Sequence, residues 1–127
     1  MFLMSLEVFL DLYTDGENGS AKFVDYQELM RQNLLVERDS VPNSSTVIFV
    51  SHEWLSYAHP DPQGVQLRTL LTVLNRLRKG EIAHVDMNLL HSIVYNHRFV
   101  VKADEWKNLL SVQRCYLWVD WQSMPQP

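Results

Sequence analysis

One short apolar run constrains the fold of this chain more than any other feature. Residues 46–50 read Thr-Val-Ile-Phe-Val, and turn-forming residues bound the run at 43–45 and at Ser51. Consecutive β-branched and aromatic residues without polar alternation are typical of a strand that is covered on both faces. The run therefore predicts a buried strand over 46–51.

A leucine-rich helix is predicted directly after this strand. Asp61 precedes Pro62, and that order favours the start of a helix. The carboxylate can accept hydrogen bonds from the unpaired N–H groups of the first turn, and proline is tolerated there because it has no N–H that needs a partner. Apolar residues recur at 67, 70, 71, 74 and 77, and a short basic cluster precedes Gly80. Cations and glycine suit a helix C-terminus, so the helix is predicted over 62–79 without any role for nucleic acid.

A second strand is predicted over 115–120, where the chain reads Cys-Tyr-Leu-Trp-Val-Asp. Residues 80–114 separate the two strands and contain two helical patterns, of which 85–97 has Asp86 as its cap; they are interpreted as a helical insertion. The order strand, helix, strand predicts a right-handed crossover between parallel neighbours. The fold class is therefore α/β with a partial parallel sheet.

Residues 1–45 are predicted to form a helical N-terminal arm, separate from the domain at 46–127. Apolar residues at 2, 3, 6, 9, 10 and 13 follow helical spacing, and a second helix is predicted after the polar loop at 14–20. The pair resembles a calcium-binding helix–loop–helix, but Lys22 occupies the twelfth place of the loop if Asp11 opens it. Calcium binding is not expected because lysine does not ligate this ion.

Composition limits the classes of partner and compartment. The chain has 11 basic and 15 acidic residues. This balance argues against nucleic-acid binding, because a surface that binds the phosphate backbone needs clustered lysine and arginine. No apolar run approaches the length of a membrane span. The single cysteine, Cys115, excludes an internal disulfide and fits a reducing compartment, so we expect a cytoplasmic protein.

Polar and aromatic side chains follow both predicted strands. Ligands of open α/β sheets bind outside the carboxyl ends of the strands. Adjacent strands would bring two stretches to one crevice, and its candidate ligand-binding residues are Ser51, His52, Glu53, Trp54, Asp120 and Trp121. Glu53 fits either acid–base chemistry or a hydrogen bond to the following loop. The zinc-protease pattern after His52 lacks its second histidine, and no metal site or resident cofactor is predicted.

Three segments together resemble a known family. The sequences VIFVSHEWL, GVQLRTLLTVLNRL and YLWVDWQSMPQP, within 46–79 and 115–127, resemble the first half of a Toll/interleukin receptor-like (TIR-like) domain, a flavodoxin-like fold. The narrower pattern is similar to that of protist proteins carrying such a domain. The resemblance implies that Asp120 ends a strand at the functional site. It also implies that the loop at 121–127, with Gln122 and Pro125, contacts a protein partner.

This resemblance leaves three hypotheses for function. The first is a protein-interaction module, completed by a partner chain or by self-association. The second is an enzyme that cleaves NAD, which would then be ligand or substrate; catalytic residues are not assigned because the helix that carries the family's catalytic glutamate has no counterpart. The third is an accessory subunit of a larger assembly. A sheet of two parallel strands seldom stands alone, so we expect the N-terminal region or a partner to complete it.

Overall fold

The computed structural model describes residues 1–13, 21–51, 53–86, 100–111 and 113–125. The strands and helices of these segments follow one another in a mixed order. In sequence they are β1 (Phe2–Ser5), α1 (Leu6–Leu12), α2 (Tyr26–Arg31), β2 (Val36–Glu37), a 3-10 turn (Arg38–Ser40), β3 (Thr46–Val50), α3 (Val65–Lys79), β4 (His84–Asp86), β5 (Val100–Lys102), α4 (Ala103–Leu109), β6 (Cys115–Val119) and α5 (Asp120–Ser123).

A four-stranded mixed sheet organises the molecule, with the strand order β2-β1-β6-β3. Strands β3 and β6 are parallel neighbours, paired from Thr46 with Cys115 to Val50 with Val119. This pairing confirms the predicted adjacency and the α/β class. Strand β1 is antiparallel both to β6 and to β2, so the N-terminal region extends the parallel pair to four strands. The sequence had predicted that either this region or a partner chain would complete the sheet.

The N-terminus corrects one prediction, because the residues before Leu6 form a strand and not the first turn of a helix. Leu3 and Met4 are consecutive and both almost fully buried. A strand in the interior of a sheet buries successive side chains on opposite faces, whereas a surface helix buries one stripe. Helix α1 then begins after Ser5, whose Oγ accepts the amide proton of Val8 at 3.2 Å.

The core lies between one face of the sheet and the helices α1 and α3. Alternate residues of β6 point into it, and α3 contributes a leucine at every third or fourth position. The buried residues of these elements include Leu6, Phe9, Leu67, Leu71, Leu74, Leu77, Cys115, Leu117 and Val119. Full burial of one such side chain stabilises the fold by roughly 1.5–3 kcal/mol.

Helix α3 begins at Val65, three residues later than Pro62. The residue before it, Gly64, has a left-handed backbone with φ of 67°, and a Cβ there would lie 2.2 Å from the carbonyl oxygen of Ala21. Asp61 still supplies the predicted cap from outside the helix, because its Oδ2 accepts the amide proton of Leu67 at 2.9 Å. The end of the helix agrees with its basic last turn and with glycine as the residue beyond it.

The region 80–114 contains strands as well as a helix. Strands β4 and β5 pair antiparallel, with Val85 opposite Val101, and helix α4 follows. Asp86 is the last residue of β4. The rest of the predicted helix over 85–97 lies outside the described residues. The polar loop at 14–20 also lies outside them, so the expectation that it does not bind calcium stays a prediction. None of the helices in the described segments is long and apolar enough to cross a membrane.

Candidate functional site

Strand β3 forms an open edge of the sheet. Its partner on one side is β6, and no strand within the described segments pairs with its other side. In a parallel ladder the N–H and C=O of one residue point to the same side, and successive residues alternate. The amide of Thr46 donates to the carbonyl oxygen of Arg114 at 2.8 Å. The backbone N–H and C=O groups of Thr46, Ile48 and Val50 therefore point toward β6. The backbone groups of Val47 and Phe49 therefore face outward.

The open edge at β3 lacks the usual protection against another strand. Natural edges are kept short, or carry charged residues, proline or a bulge. Strand β3 has five residues, none charged and none proline, and it pairs with β6 in unbroken register. The opposite edge of the sheet, β2, has only two residues and includes Glu37. Of the two edges of the four-stranded sheet in the described segments, the β3 edge thus resembles a surface that accepts a further strand.

An apolar groove adjoins this edge. It has a volume of about 380 Å³ and lies between the end of β3 and the outer side of α3. Its lining consists of Ser51, Val65, Gln66, Thr69, Leu70 and Val73. Val65 and Val73 are 47% and 40% exposed, unusual values for valine in a row that repeats every fourth residue of a helix. We call this surface the α3 groove; it leaves the flank of the helix uncovered on the same side as the strand.

The second face of the sheet is aromatic near the open edge. Phe49 is 62% exposed and its ring lies against that of Trp118, with centroids 5.7 Å apart. Ile48 and Val50, on the other face, pack against the core. The prediction of a strand buried on both faces is therefore wrong for β3, because no helix among the described residues covers Phe49.

The carboxyl ends of β3 and β6 converge, as the strand-end rule predicted. The ring of Trp54 meets that of Trp121 at 5.1 Å, and His59 lies 5.4 Å from the same indole. Glu53 is exposed, and its carbonyl oxygen accepts a hydrogen bond from the Gln66 side chain at 2.8 Å. His52 lies outside the described residues. The predicted crevice is thus an aromatic cluster that ties the loop after β3 to the end of β6.

His59 fixes the loop through both of its ring nitrogens. Nδ1 accepts the amide proton of Asp61 at 3.0 Å, so Nε2 carries the proton and donates to the carbonyl oxygen of Phe23 at 3.0 Å. Asp61 is fully buried, and its Oδ1 has no hydrogen-bond partner among the described residues. The histidine therefore joins residues far apart in the chain, and this link has no signal in the sequence.

The segment after β6 differs from the predicted loop. Asp120–Ser123 forms the short helix α5, and Asp120 accepts the amide proton of Trp121 at 2.8 Å. Gln122, predicted to contact a partner, is 1% exposed and donates from Nε2 to the hydroxyl of Tyr13 at 2.6 Å. The side chain of Gln122 therefore lies in the interior and is not accessible to a partner, whereas Pro125 is exposed.

Tyr13 is the centre of this buried polar contact. Its hydroxyl accepts the amide proton of Val24 at 2.9 Å as well as the bond from Gln122. Burial raises the pKa of Tyr13 to about 12, and the two hydrogen bonds only partly oppose this effect. The sequence marked Tyr13 only as an apolar position of a helix, so its polar role was missed.

Two other reactive groups have structural surroundings. Cys115 is fully buried, and burial raises the pKa of its thiol to about 11 although the charge of Arg78 opposes the shift. The thiol therefore stays protonated at neutral pH and is a poor nucleophile. The described segments contain no group of three side chains placed to hold a metal ion.

Comparisons with known proteins identify no relative of this chain. The chain matches no family model, no curated protein and no solved structure. The TIR-like resemblance therefore stays a prediction, and the β3 edge and the α3 groove are the features of the structure that bear on function.

Proposed function

We propose that this protein is an interaction module that binds an extended segment of a partner along the edge of β3. The observation that carries the proposal is the outward backbone of Val47 and Phe49 in an uncharged edge strand of five residues. Strand addition uses such an edge for affinity and neighbouring pockets for specificity. Each backbone hydrogen bond contributes about 0.5–1.5 kcal/mol net.

The surfaces beside the edge define the segment that fits. One face of an added strand would lie toward the α3 groove, and the other would lie beside the exposed ring of Phe49. Because side chains alternate between faces, an added strand would place apolar residues on both. The expected partner segment is therefore a short, largely apolar and uncharged strand.

The added strand would also complete the architecture that the sequence resembles. With a strand on its open side, β3 would become an interior strand, which suits its apolar sequence and a flavodoxin-like or TIR-like sheet. A role as accessory subunit is compatible with the same contact. The NAD-cleaving hypothesis gains no support from Glu53, whose side chain is exposed and whose observed hydrogen bond uses the backbone.

Hydrogen exchange of single backbone amides tests the proposal. In the monomeric protein at low concentration, the amides of Val47 and Phe49 should exchange much faster than those of Ile48 and Val50. A labelled peptide with five consecutive valine and isoleucine residues, and with charged residues only outside this segment for solubility, should slow exchange at 47 and 49 when it is added. Equal protection of all these amides in the free monomer would show that the edge is already covered, and the proposal would be wrong.

A matched variant identifies the edge as the binding surface. Val47→Pro removes an outward donor and leaves the bonds to β6 in place, since proline is tolerated where the N–H faces solvent. It should abolish the anisotropy change of the labelled peptide. Glu37→Pro is the matched control at the other edge, because the register of β1 and β2 turns the N–H of Glu37 away from β1; it should leave peptide binding unchanged.

A further inference from the structure

We infer that the partner strand at this edge is β3 of a second copy, paired antiparallel about a twofold axis at Ile48. This inference rests on the proposed function and names its partner. The strand that the edge accepts is short, apolar and uncharged, and β3 itself has these properties over five residues.

The backbone geometry permits this pairing in one favourable register. With Ile48 opposite its own copy, Val47 lies opposite Phe49 of the second molecule, and the reverse. Those are the residues whose N–H and C=O groups face outward, so each of these pairs exchanges both of its hydrogen bonds. Ile48 forms the close, non-hydrogen-bonded pair on the axis.

The side chains match in the same register. Phe49 would lie across from Val47 of the second copy, a pairing of aromatic and β-branched residues that stabilises antiparallel sheets. Ile48 would lie beside its copy on the face that carries the α3 groove. The contact would cover the ring of Phe49, which is 62% exposed in the single chain.

Charge is compatible with a second copy and disfavours a charged peptide segment. Strand β3 carries no charge, so two copies place no charged group at the paired edge. The antiparallel direction follows from the hydrogen-bond register about Ile48.

The assembly would close at two copies. A twofold contact uses the same surface of both molecules and leaves no second β3 edge exposed. The outer edges of the continuous sheet would be β2, which is short and includes Glu37. A dimer is therefore expected rather than a fibre.

Sedimentation equilibrium with charge variants tests the dimer and its register. The protein should approach twice its 14.9 kDa chain mass with increasing concentration. Phe49→Lys and Val47→Glu should each weaken association by about tenfold or more, because a charge replaces an apolar cross-strand contact. A mixture of the two variants should form the mixed dimer, since the glutamate introduced at 47 then faces the lysine introduced at 49.

A cross-link checks the axis without charged substitutions. Ile48→Cys should form an intermolecular disulfide on oxidation, because Cα atoms of a non-hydrogen-bonded pair lie about 4.5 Å apart, within disulfide range. Val73→Cys, in the α3 groove, is the control and should not cross-link. Cys115 is fully buried, so it should not compete.

Three outcomes would overturn the inference, and the first two separate it from the proposed function. A protein that stays monomeric, with free amides at 47 and 49 and with peptide binding, contradicts the second copy and keeps strand addition to another partner. A monomer whose amides at 47 and 49 are already protected contradicts both. Association unaffected by Phe49→Lys and Val47→Glu, with no cross-link at 48, would also contradict the twofold register.

Discussion

The indole of Trp54 meets the indole of Trp121 edge to face, with ring centroids 5.1 Å apart and planes at 76°. Trp54 follows β3 and Trp121 follows β6, so one aromatic contact joins the ends of two parallel strands. Trp121 also lies beside His59. The contact holds the loop after β3 in place next to the open edge, and its stability can be measured.

Trp54→Ala should lower the free energy of unfolding by about 1–2 kcal/mol, because it removes an edge-to-face pair and part of the apolar burial. Urea unfolding followed by circular dichroism measures the loss. Tyr57, in the same loop, is fully exposed and provides the control. Tyr57→Ala should change the stability by less than about 0.5 kcal/mol. Equal effects of the two substitutions would show that the aromatic contact does not stabilise the loop.

Asp61→Ala should destabilise the protein by about 1–2 kcal/mol, because the amide of Leu67 loses its acceptor at the start of α3. Asp61→Asn keeps an acceptor oxygen for the amide of Leu67, so it should cost much less. Chemical denaturation of both variants at neutral pH makes the comparison. A loss as large for asparagine as for alanine would mean that the carboxylate charge, and not the hydrogen bond, stabilises this position.

Gly64→Ala should be strongly destabilising, by about 2 kcal/mol or more. The left-handed backbone alone disfavours alanine by roughly 1–2 kcal/mol, and the new methyl group would meet the carbonyl oxygen of Ala21. Gly80→Ala is the matched control, since its φ of 73° is similar but its Cβ would meet only the flexible side chain of Lys107. Thermal unfolding should therefore show a clearly larger loss at 64 than at 80. Equal losses would exclude a role for the contact with Ala21.

Tyr13→Phe should have an effect that depends on pH. The pKa of Tyr13 is raised from 10.0 to about 12 in the folded protein. Between these values the unfolded chain loses the proton and the folded chain keeps it, so wild-type stability falls as pH rises from about 10 to about 12. Two pKa units correspond to about 2–3 kcal/mol.

At neutral pH, Tyr13→Phe should cost about 1–3 kcal/mol, because Val24 and Gln122 lose a buried partner. Above pH 10 the difference between wild type and variant should shrink, since the variant has no phenol to ionise. Urea unfolding at pH 8 and pH 11 gives the two differences, and Tyr57→Phe serves as the exposed control. A difference that is the same at both pH values would contradict this account.

The elements that the sequence predicted well are those with strong local signals. The apolar runs of β3 and β6 and the leucine spacing of α3 each specify their structure within one segment. Strand β1 was missed because apolar residues at 2 and 3 fit the start of a helix as well as a strand. Its pairing with β6 joins residues more than a hundred positions apart, and no local pattern encodes that.

The candidate site likewise contains contacts that the sequence predicted and contacts that it did not. The convergence of Trp54 with Trp121 followed from the rule that parallel strands end at the same side of a sheet. The burial of Gln122 did not, because it depends on α5 directing that side chain toward Tyr13. The link from His59 to Phe23 was equally invisible, since its acceptor is a backbone carbonyl that every residue has.

By itself, the sequence determined that this chain forms an α/β protein with β3 and β6 as parallel neighbours and α3 capped between them. Only the tertiary structure decided that β3 has no strand on its outer side among the described residues, that the backbone groups of Val47 and Phe49 point to that side, and that the α3 groove adjoins them. The physical reason is that side-chain periodicity is local, whereas strand order depends on backbone groups that are chemically alike in every residue. Which edge stays open is therefore decided by how the whole sheet assembles.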